Sequence, residues 1–336
     1  MASPSTAVNR FDLSMSYGEF ALAMNQQGFI GHRVLPPIPV AKNASSFAKI
    51  PIKALLSPIE STKRASKAGY KRSDFTCDQD SYAVEDHGVE EELDDETLDL
   101  YRDVIRAEAI HSQRAINRVA QAYENDVAAA VFNTTTWTGA TLSTAVGTPW
   151  STIASADPVA DIDAAIEKVK GNCGRKPNTL ILTDLAFRKI TRCASITDKI
   201  KYSGFSDPTK DPAFIQALKD LLQLDEILTG SAFKNTAGDG AAASLSRLWD
   251  STKAMVCCTA RQGNMDLESP DPCIGRTIVW EAGSVTLPGG PDGALGMIVE
   301  EYREESRRGS ALRARNHRQV KILHAAAGHL LTNVTA

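Results

Sequence analysis

The sequence predicts an α+β fold in which a compact domain carries several extended segments. A helical stripe of apolar residues runs through 98–131, which predicts one long amphipathic helix. Strand and helix patterns then alternate through 151–294, as in a compact α/β unit. Residues 1–47 have no sustained period and end in a proline-rich stretch, which is typical of an extended arm.

The composition excludes several classes of protein. The 336 residues include 37 Lys and Arg and 41 Asp and Glu, so the net charge of −4 argues against nucleic-acid binding driven by bulk positive charge. A hydrophobic content of 43% is typical of a globular chain. No apolar run approaches the roughly 18 residues of a membrane-spanning helix, and the first residues lack the pattern of a signal peptide. We therefore expect no membrane association and a cytoplasmic location.

The segment 48–92 has a weak strand pattern and is predicted to form a long two-stranded excursion. A basic tip lies near its middle and consists of Lys63, Arg64, Lys67, Lys71 and Arg72. An isolated two-stranded hairpin is only marginally stable in water, so we expect this one to lie on a partner. The basic tip is either a solvated surface or a contact for an acidic partner, such as the acidic run of another copy of the chain.

That acidic run, 90–96, contains Glu90, Glu91 and Glu92 and precedes the apolar stripe. Carboxylates are favourable at the positive end of a helix dipole, so we predict that the run opens a helix over 95–132. Such a helix would be about 57 Å long. A compact globule of this chain length has a diameter of about 52 Å, so the subunit is predicted to be flat or elongated.

Helix and strand signals alternate in the compact unit. Asp157 and Pro158 are predicted to begin a helix that Gly171 ends, and a second helix is predicted after Asp211 and Pro212. A short helix is predicted from 184, and strands are predicted at 177–183, 226–229, 254–259 and 276–282. The segment 238–243 has the letters of a dinucleotide-binding fingerprint without its strand-to-helix setting, so it is predicted to be a loop.

The C-terminal stretch begins with a predicted apolar strand at 296–302 and then becomes dense in charge. Its first charged residues include Glu304, Glu305, Arg307 and Arg308. The arginines could bind phosphates. Their interleaving with glutamates instead favours a salt-bridge network within or between subunits.

No constellation of catalytic residues is visible. The sequence contains no phosphate-binding loop, no G-x-S-x-G elbow and no H-E-x-x-H motif. The six cysteines include no C-x-x-C pair and are predicted to be reduced and mostly buried. His317, His324 and His329 do not have the spacing of metal ligands. We therefore predict no catalytic residue, no metal and no cofactor, and a protein that is not an enzyme.

The order of these segments resembles the major capsid proteins of tailed bacteriophages, whose Hong Kong 97-type fold is shared with encapsulins. The stretches that resemble this family are DPVADIDAAIEKVKG, PNTLILTDLAFRKI, LLQLDEILTGSAFKN, SLSRLWDSTKAMVCCTA and KILHAAAGHLLTNV. They occur in that order within a resemblance that extends from Phe47 to the C-terminus.

The resemblance implies a division of the chain into an N-terminal arm (1–47), an extended loop (48–92), a peripheral domain with a spine helix (93–150 and 295–336) and an axial domain (151–294). It implies that function is spread over contacts between subunits. The candidate contact residues are Lys63, Arg64, Lys67, Lys71, Arg72, Glu90, Glu91, Glu92, Glu304, Glu305, Arg307 and Arg308.

The implied partners are further copies of the chain, arranged as hexamers and pentamers of an icosahedral shell. A portal, a separate scaffolding or decoration protein, and non-specifically packaged double-stranded DNA are also implied. The shell would assemble in the host cytoplasm and form the virion capsid. Two alternatives remain open at this point: an encapsulin-type compartment that packs a cargo enzyme, and an α/β enzyme that uses residues 151–294.

Overall fold

The computed structural model contains two main sheets with helices packed against them. It describes residues 8–10, 28–56, 63–64, 66–67, 69–70, 72, 77–101, 107–200, 212–238, 240–260, 267, 272–281 and 296–335. The described helices are α1 (Gly31–Val34), α2 (Ile52–Leu55), α3 (Asp95–Tyr101), α4 (Ala107–Val131), α5 (Pro158–Cys173), α6 (Asp184–Ile190), α7 (Ala194–Ile200) and α8 (Pro212–Leu222).

The described strands are β1 (Val8–Asn9), β2 (Pro37–Val40), β3 (Ala44–Lys49), β4 (Asp78–Ala83), β5 (Glu85–Asp94), β6 (Ser143–Ala145), β7 (Thr179–Thr183), β8 (Glu226–Gly230), β9 (Phe233–Asn235), β10 (Leu245–Arg247), β11 (Ala254–Cys257), β12 (Gly275–Trp280), β13 (Ile298–Glu304), β14 (Gly309–Ile322) and β15 (Gly328–Thr332). Among the described residues, no helix is long and apolar enough to cross a bilayer.

The first sheet has six strands and is organised around β14. The path of hydrogen-bonded neighbours is β1-β13-β14-β12-β2, and β5 also pairs with β14. All pairs are antiparallel except β12 with β2. The 14 residues of β14 allow one strand to pair with β13 and β5 near its start and with β12 near its end.

The long helix α4 packs its apolar stripe on β14 and β5. The stripe is fully buried at Ile116, Tyr123, Val127 and Val131, as its helical spacing predicts. At 1.5 Å per residue the 25 residues of α4 are about 38 Å long. The predicted helix over 95–132 therefore corresponds to α3 and α4, and residues 102–106 between them lie outside the described residues.

The second sheet has five strands in the order β6-β15-β11-β7-β8. Every residue of β7 is buried, as predicted for a central strand. The Asp157 side chain caps α5 by accepting a hydrogen bond from the amide of Ala160. The helix passes through Gly171 and ends at Gly174, which has φ +70°, so the prediction that Gly171 ends it was wrong. Many helices end in a residue with left-handed backbone, which glycine adopts without strain, and Gly174 provides it three residues later.

Strands β3 and β4 form the two-stranded ribbon that the sequence predicts within 48–92, displaced toward the N-terminus. The ribbon pairs Ala44 with Ala83 at one end and Lys49 with Asp78 at the other. The loop 238–243 connects β9 to β10 and, at its described residues, has no helix after its glycines, as predicted. Asp211, predicted with Pro212 to begin the second helix, lies outside the described residues.

The acidic run does not begin a helix as predicted. Residues 90–94 belong to β5, and only Asp95 and Glu96 lie in the first turn of α3. Alternation along β5 explains the difference, because Glu91 and Leu93 point to the buried face while Glu90 and Glu92 point away from it. β5 pairs with β14, which carries several arginines, so the carboxylates of β5 have cationic partners across the strands. A prediction from the local sequence alone does not include this pairing.

Two of the predicted segments contribute to the core and to the sheets of the chain. Residues 28–40, predicted as part of an arm, contribute Phe29, Val34, Leu35 and Ile38 to the core of their own chain. The C-terminal segment 295–336, predicted as one unit with the long helix, divides between the sheets, since β13 and β14 join the first and β15 joins the second.

Candidate functional site

The exposed face of the first sheet carries alternating arginine and glutamate side chains. Arg313 lies opposite Glu90 on β5 and opposite Glu300 on β13. Its Nε donates to Glu90 at 2.6 Å, and Arg315 donates to Glu300 at 2.6 Å. The pKa of Glu300 is lowered mainly by its hydrogen bond from Arg315, and that of Arg313 is raised mainly by its bond to Glu90. The face therefore holds its charges as neutralised cross-strand pairs.

The end of the β13–β14 hairpin carries a second group of ion pairs. Arg303 makes two hydrogen bonds of 2.6 Å to the carboxylate of Asp95, and its Nε lies 3.4 Å from Glu305. Arg307 pairs with both Glu92 and Glu304. These side chains are largely exposed, so each pair contributes little to stability by itself.

Arg308 lies in the turn that follows these pairs. It has φ +48°, a left-handed conformation, and its carbonyl accepts the amide of Asp95. Its side chain is exposed. The backbone of this turn therefore joins the hairpin to the start of α3.

The inward side of β5 places Glu91 against the long helix. Its side chain is only 8% exposed, and it meets Arg118 at 2.8 Å, His111 at 3.5 Å and Arg114 at 3.7 Å. These three side chains lie on one side of α4 because their spacing is three and four residues. One carboxylate is thus shared by two arginines and a histidine.

The predicted basic tip is placed at the surface wherever it is described. Lys63, Arg64, Lys67 and Arg72 are exposed, and Lys71 lies outside the described residues. The guanidinium of Arg64 stacks over the exposed ring of Tyr70 at 4.9 Å. The acidic run, which the sequence suggests as a partner for the basic tip of another copy, is already paired within its own chain. Glu90, Glu91 and Glu92 each have an arginine within ion-pair distance.

Sequence reasoning missed a buried carboxylate that joins distant parts of the chain. Glu124 on α4 is fully buried and accepts the amides of Ile30 at 2.9 Å and Gly31 at 2.8 Å. It also accepts the indole N–H of Trp249 at 2.6 Å. Burial raises the pKa of Glu124, while the three donors act in the opposite direction. An acidic residue at helical spacing from Val127 and Val131, on the apolar stripe, is the sequence signal that could have identified it.

A buried arginine forms a second polar cluster, between α4 and the sheet. Arg318 on β14 is 1% exposed and donates to Asp126 at 2.8 Å and to Asn316 at 2.9 Å. Its guanidinium also lies over the ring of Tyr123 at 5.4 Å. The Tyr123 hydroxyl shares a hydrogen bond of 2.9 Å with Thr277 on β12. Arg318 is one of the C-terminal arginines that the sequence predicts to bind phosphate or glutamate. It is instead buried and pairs with Asp126.

His324 and His329 have separate surroundings. His329 is buried and bonds to Thr144 and to the carbonyl of Thr141, whereas burial lowers the pKa of His324 to about 4. Within the described parts of the chain, no group of three or more His, Cys, Asp and Glu side chains could hold a metal ion.

Comparisons with known proteins agree on the type of fold. No protein-family model matches the chain. The major capsid protein of Burkholderia phage BcepMu is 22% identical over 286 residues, which cover 83% of this chain and 87% of that protein. A phage-related protein from Bordetella bronchiseptica RB50 matches with a TM-score of 0.69 at 21% identity, covering 98% of each chain. A chain of Mycobacterium phage Adephagia matches with a TM-score of 0.53 at 14% identity, covering 92% of this chain and 91% of that one.

The α+β Hong Kong 97-type fold predicted from the sequence is therefore confirmed, and so is the resemblance to phage major capsid proteins.

Proposed function

We propose that this chain is the major capsid protein of a tailed bacteriophage, which self-assembles into the icosahedral head shell around a double-stranded DNA genome. The observation that carries the proposal is the full-length agreement in fold with phage proteins, together with a relative that is itself a major capsid protein. The function is structural, and no catalysis is assigned to any residue.

The described surfaces suit a protein that works through contacts with copies of itself. The β3–β4 ribbon pairs only within itself among the described strands and leads to an exposed basic tip. The base of the ribbon packs Phe47 and Tyr82 on its own chain, so a neighbouring subunit would contribute contacts at the exposed basic tip. The charged side chains at the hairpin end form a second surface available to a neighbour and include Glu304, Glu305, Arg307 and Arg308.

The proposed function divides the chain into four segments with separate roles. We assign 1–47 to an arm, 48–92 to the extended loop, 93–150 with 295–336 to the peripheral domain, and 151–294 to the axial domain. The axial domain would meet its copies around the five-fold and six-fold axes of pentamers and hexamers. A portal and a separate scaffolding or decoration protein would complete the shell, which assembles in the host cytoplasm and becomes the virion capsid.

Electron microscopy of the purified full-length protein tests the proposal. We expect closed, hollow shells of uniform diameter under conditions that permit assembly. Monomers and small oligomers alone, across a range of salt and protein concentrations, would overturn it. Shells that retain a host enzyme and exclude DNA would instead indicate an encapsulin-type compartment.

Charge reversal at the basic tip tests its role in assembly. The variant Lys63→Glu/Arg64→Glu/Lys67→Glu should leave the folded subunit intact and reduce the fraction of protein found in shells, measured by sedimentation. A matched control reverses three exposed cations elsewhere, as Lys176→Glu/Arg188→Glu/Arg192→Glu. Equal assembly of the tip variant and the unchanged protein would remove these residues from the proposed contact.

A further inference from the structure

The side of α4 that lies beside Glu91 of β5 is polar and cationic. Arg114 and Arg118 are each 53% exposed and lie four residues apart, hence side by side on the helix. Asn117 and Gln121 lie on the same side, each three residues after one of the arginines, and are partly exposed. Gln113, one turn before Asn117, is exposed at the edge of this side. Together these five residues form the outer stripe of α4.

The outer stripe has more positive than negative charge. Arg114 and Arg118 share the single carboxylate of Glu91, so this group has a surplus of one positive charge even with neutral His111. The neighbouring acids are engaged elsewhere, since Glu108 pairs with Arg10 and Asp126 with Arg318. Four arginines of the β13–β14 hairpin each pair with a carboxylate other than Glu91. They are Arg303, Arg307, Arg313 and Arg315.

We propose that the outer stripe of α4 contacts the phosphate backbone of duplex DNA inside the shell, without reading its sequence. The proposal rests on the proposed capsid function and assigns this side of α4 to the interior. Arginine side chains, with asparagine and glutamine amides as additional donors, are the groups that contact phosphate oxygens in protein–DNA complexes.

The chemistry of the stripe favours a polyanion over a second protein. The cores of protein interfaces are apolar and depleted in charge. Along the described length of α4, the exposed large apolar side chain on this side is Ile110, which is 39% exposed and lies at the N-terminal edge of the stripe. A surface of two arginines and three amides instead suits a partner with closely spaced negative charges and no apolar area. The low surplus of charge also agrees with a lining that holds a genome loosely.

Salt-dependent DNA binding tests the stripe. The full-length chain, kept below the concentration at which it assembles, is titrated with a fluorescent duplex of random sequence between about 50 and 200 mM salt. The slope of log affinity against log salt should fall in magnitude by about 1.8 in the variant Arg114→Gln/Arg118→Gln, because each lost phosphate contact removes about 0.9. The charge-conserving variant Arg114→Lys/Arg118→Lys should retain most of the original slope.

The matched control removes two other exposed arginines four residues apart, as Arg188→Gln/Arg192→Gln, and should leave the slope nearly unchanged. An equal change in the control would overturn the proposal, because binding would then depend on total charge alone. An unchanged slope in Arg114→Gln/Arg118→Gln would overturn it as well. If that variant instead loses shell assembly while its slope is unchanged, the stripe is a contact between subunits.

Shell formation by the unchanged protein is scored separately by electron microscopy. If the unchanged protein forms normal shells and the variant keeps the same salt dependence of DNA binding, the proposed DNA contact is refuted and the capsid function stands. If the unchanged protein never forms shells and the variant loses DNA binding, the capsid function is refuted and the outer stripe remains a DNA contact.

Discussion

The carboxylate of Glu124 accepts the indole N–H of Trp249 at 2.6 Å, although the two residues are 125 positions apart in the sequence. Trp249 is itself fully buried and packs edge-on against Phe132, just beyond the end of α4. The same carboxylate also holds the backbone of Ile30 and Gly31. One side chain thus connects the long helix, a segment that belongs to the predicted arm and the turn before β11.

Replacement of this carboxylate should destabilise the subunit. In Glu124→Gln, one oxygen is replaced by an amide NH₂ group, which would face a backbone N–H donor and leave it unpaired. An unsatisfied buried donor costs about 1–3 kcal/mol, so the free energy of unfolding in urea should fall by about that amount. The control Glu167→Gln alters a carboxylate that is 71% exposed and should change the free energy by less than about 0.5 kcal/mol. Equal stability of the two variants would contradict the role of Glu124.

Two glycines should respond in opposite directions to replacement by alanine. A Cβ on Gly275 would lie 2.3 Å from the carbonyl oxygen of Lys321 in the paired strand, so Gly275→Ala should cost at least about 1–3 kcal/mol. A Cβ on Gly171 would meet nothing within 4 Å, and this residue lies inside α5. Gly171→Ala should therefore raise the free energy of unfolding by about 0.5–1 kcal/mol. Thermal unfolding of both variants checks the predicted signs.

The elements with local signals could be predicted from the sequence. The Asp-Pro start of α5, the uninterrupted apolar run of β7 and the stripe of α4 each contain their own evidence, and each forms where expected. The acidic run could not be placed correctly, because its strand conformation depends on pairing with β14, more than 200 residues away. For the same reason, the sequence did not indicate that β15 leaves β14 and pairs with β11.

The candidate site could be predicted only as a set of charges. Sequence interleaving correctly suggested salt bridges between the arginines of β14 and nearby glutamates, and Arg315 with Glu300 is one. The sequence could not predict which residues pair across strands, because Arg313 and Glu90 meet only through the register of β14 with β5. Glu124 was missed because its three donors come from segments that only the folded chain brings together.

Acid should weaken the first sheet through Glu300. The ion pair with Arg315 lowers the pKa of Glu300 below its ordinary value of 4.5. A lowered folded-state pKa gives stability that is fully present above pH 4.5 and is lost as pH falls through the folded-state pKa. The variant Glu300→Gln should therefore have a flatter dependence of melting temperature on pH below 4.5. A profile parallel to that of the unchanged protein would contradict this.

Glu124 should contribute to pH dependence with the opposite sign. Burial raises its pKa above the ordinary value of 4.5, so the folded state binds the proton more tightly than the unfolded state. Its contribution to stability should therefore decrease as pH rises from 4.5 through the folded-state pKa, and be constant above it. The difference in melting temperature between the unchanged protein and Glu124→Gln, measured across that range, isolates this contribution. A difference that grows in favour of the unchanged protein with rising pH would contradict it.

Accessibility should decide which thiols react with an alkylating agent in the folded protein. Cys77 is exposed, whereas the other five cysteines are buried. The pKa of Cys173 is lowered to about 7, chiefly by its hydrogen bond with Cys258, so charge alone would make Cys173 the most reactive thiol. Cys173 is, however, only 3% exposed. We therefore expect Cys77 to be labelled first in native protein, and Cys77→Ser to remove the fast phase, with mass spectrometry of the labelled peptides as the measurement. Rapid labelling of Cys173 in that variant would show instead that the C-terminal end of α5 opens readily.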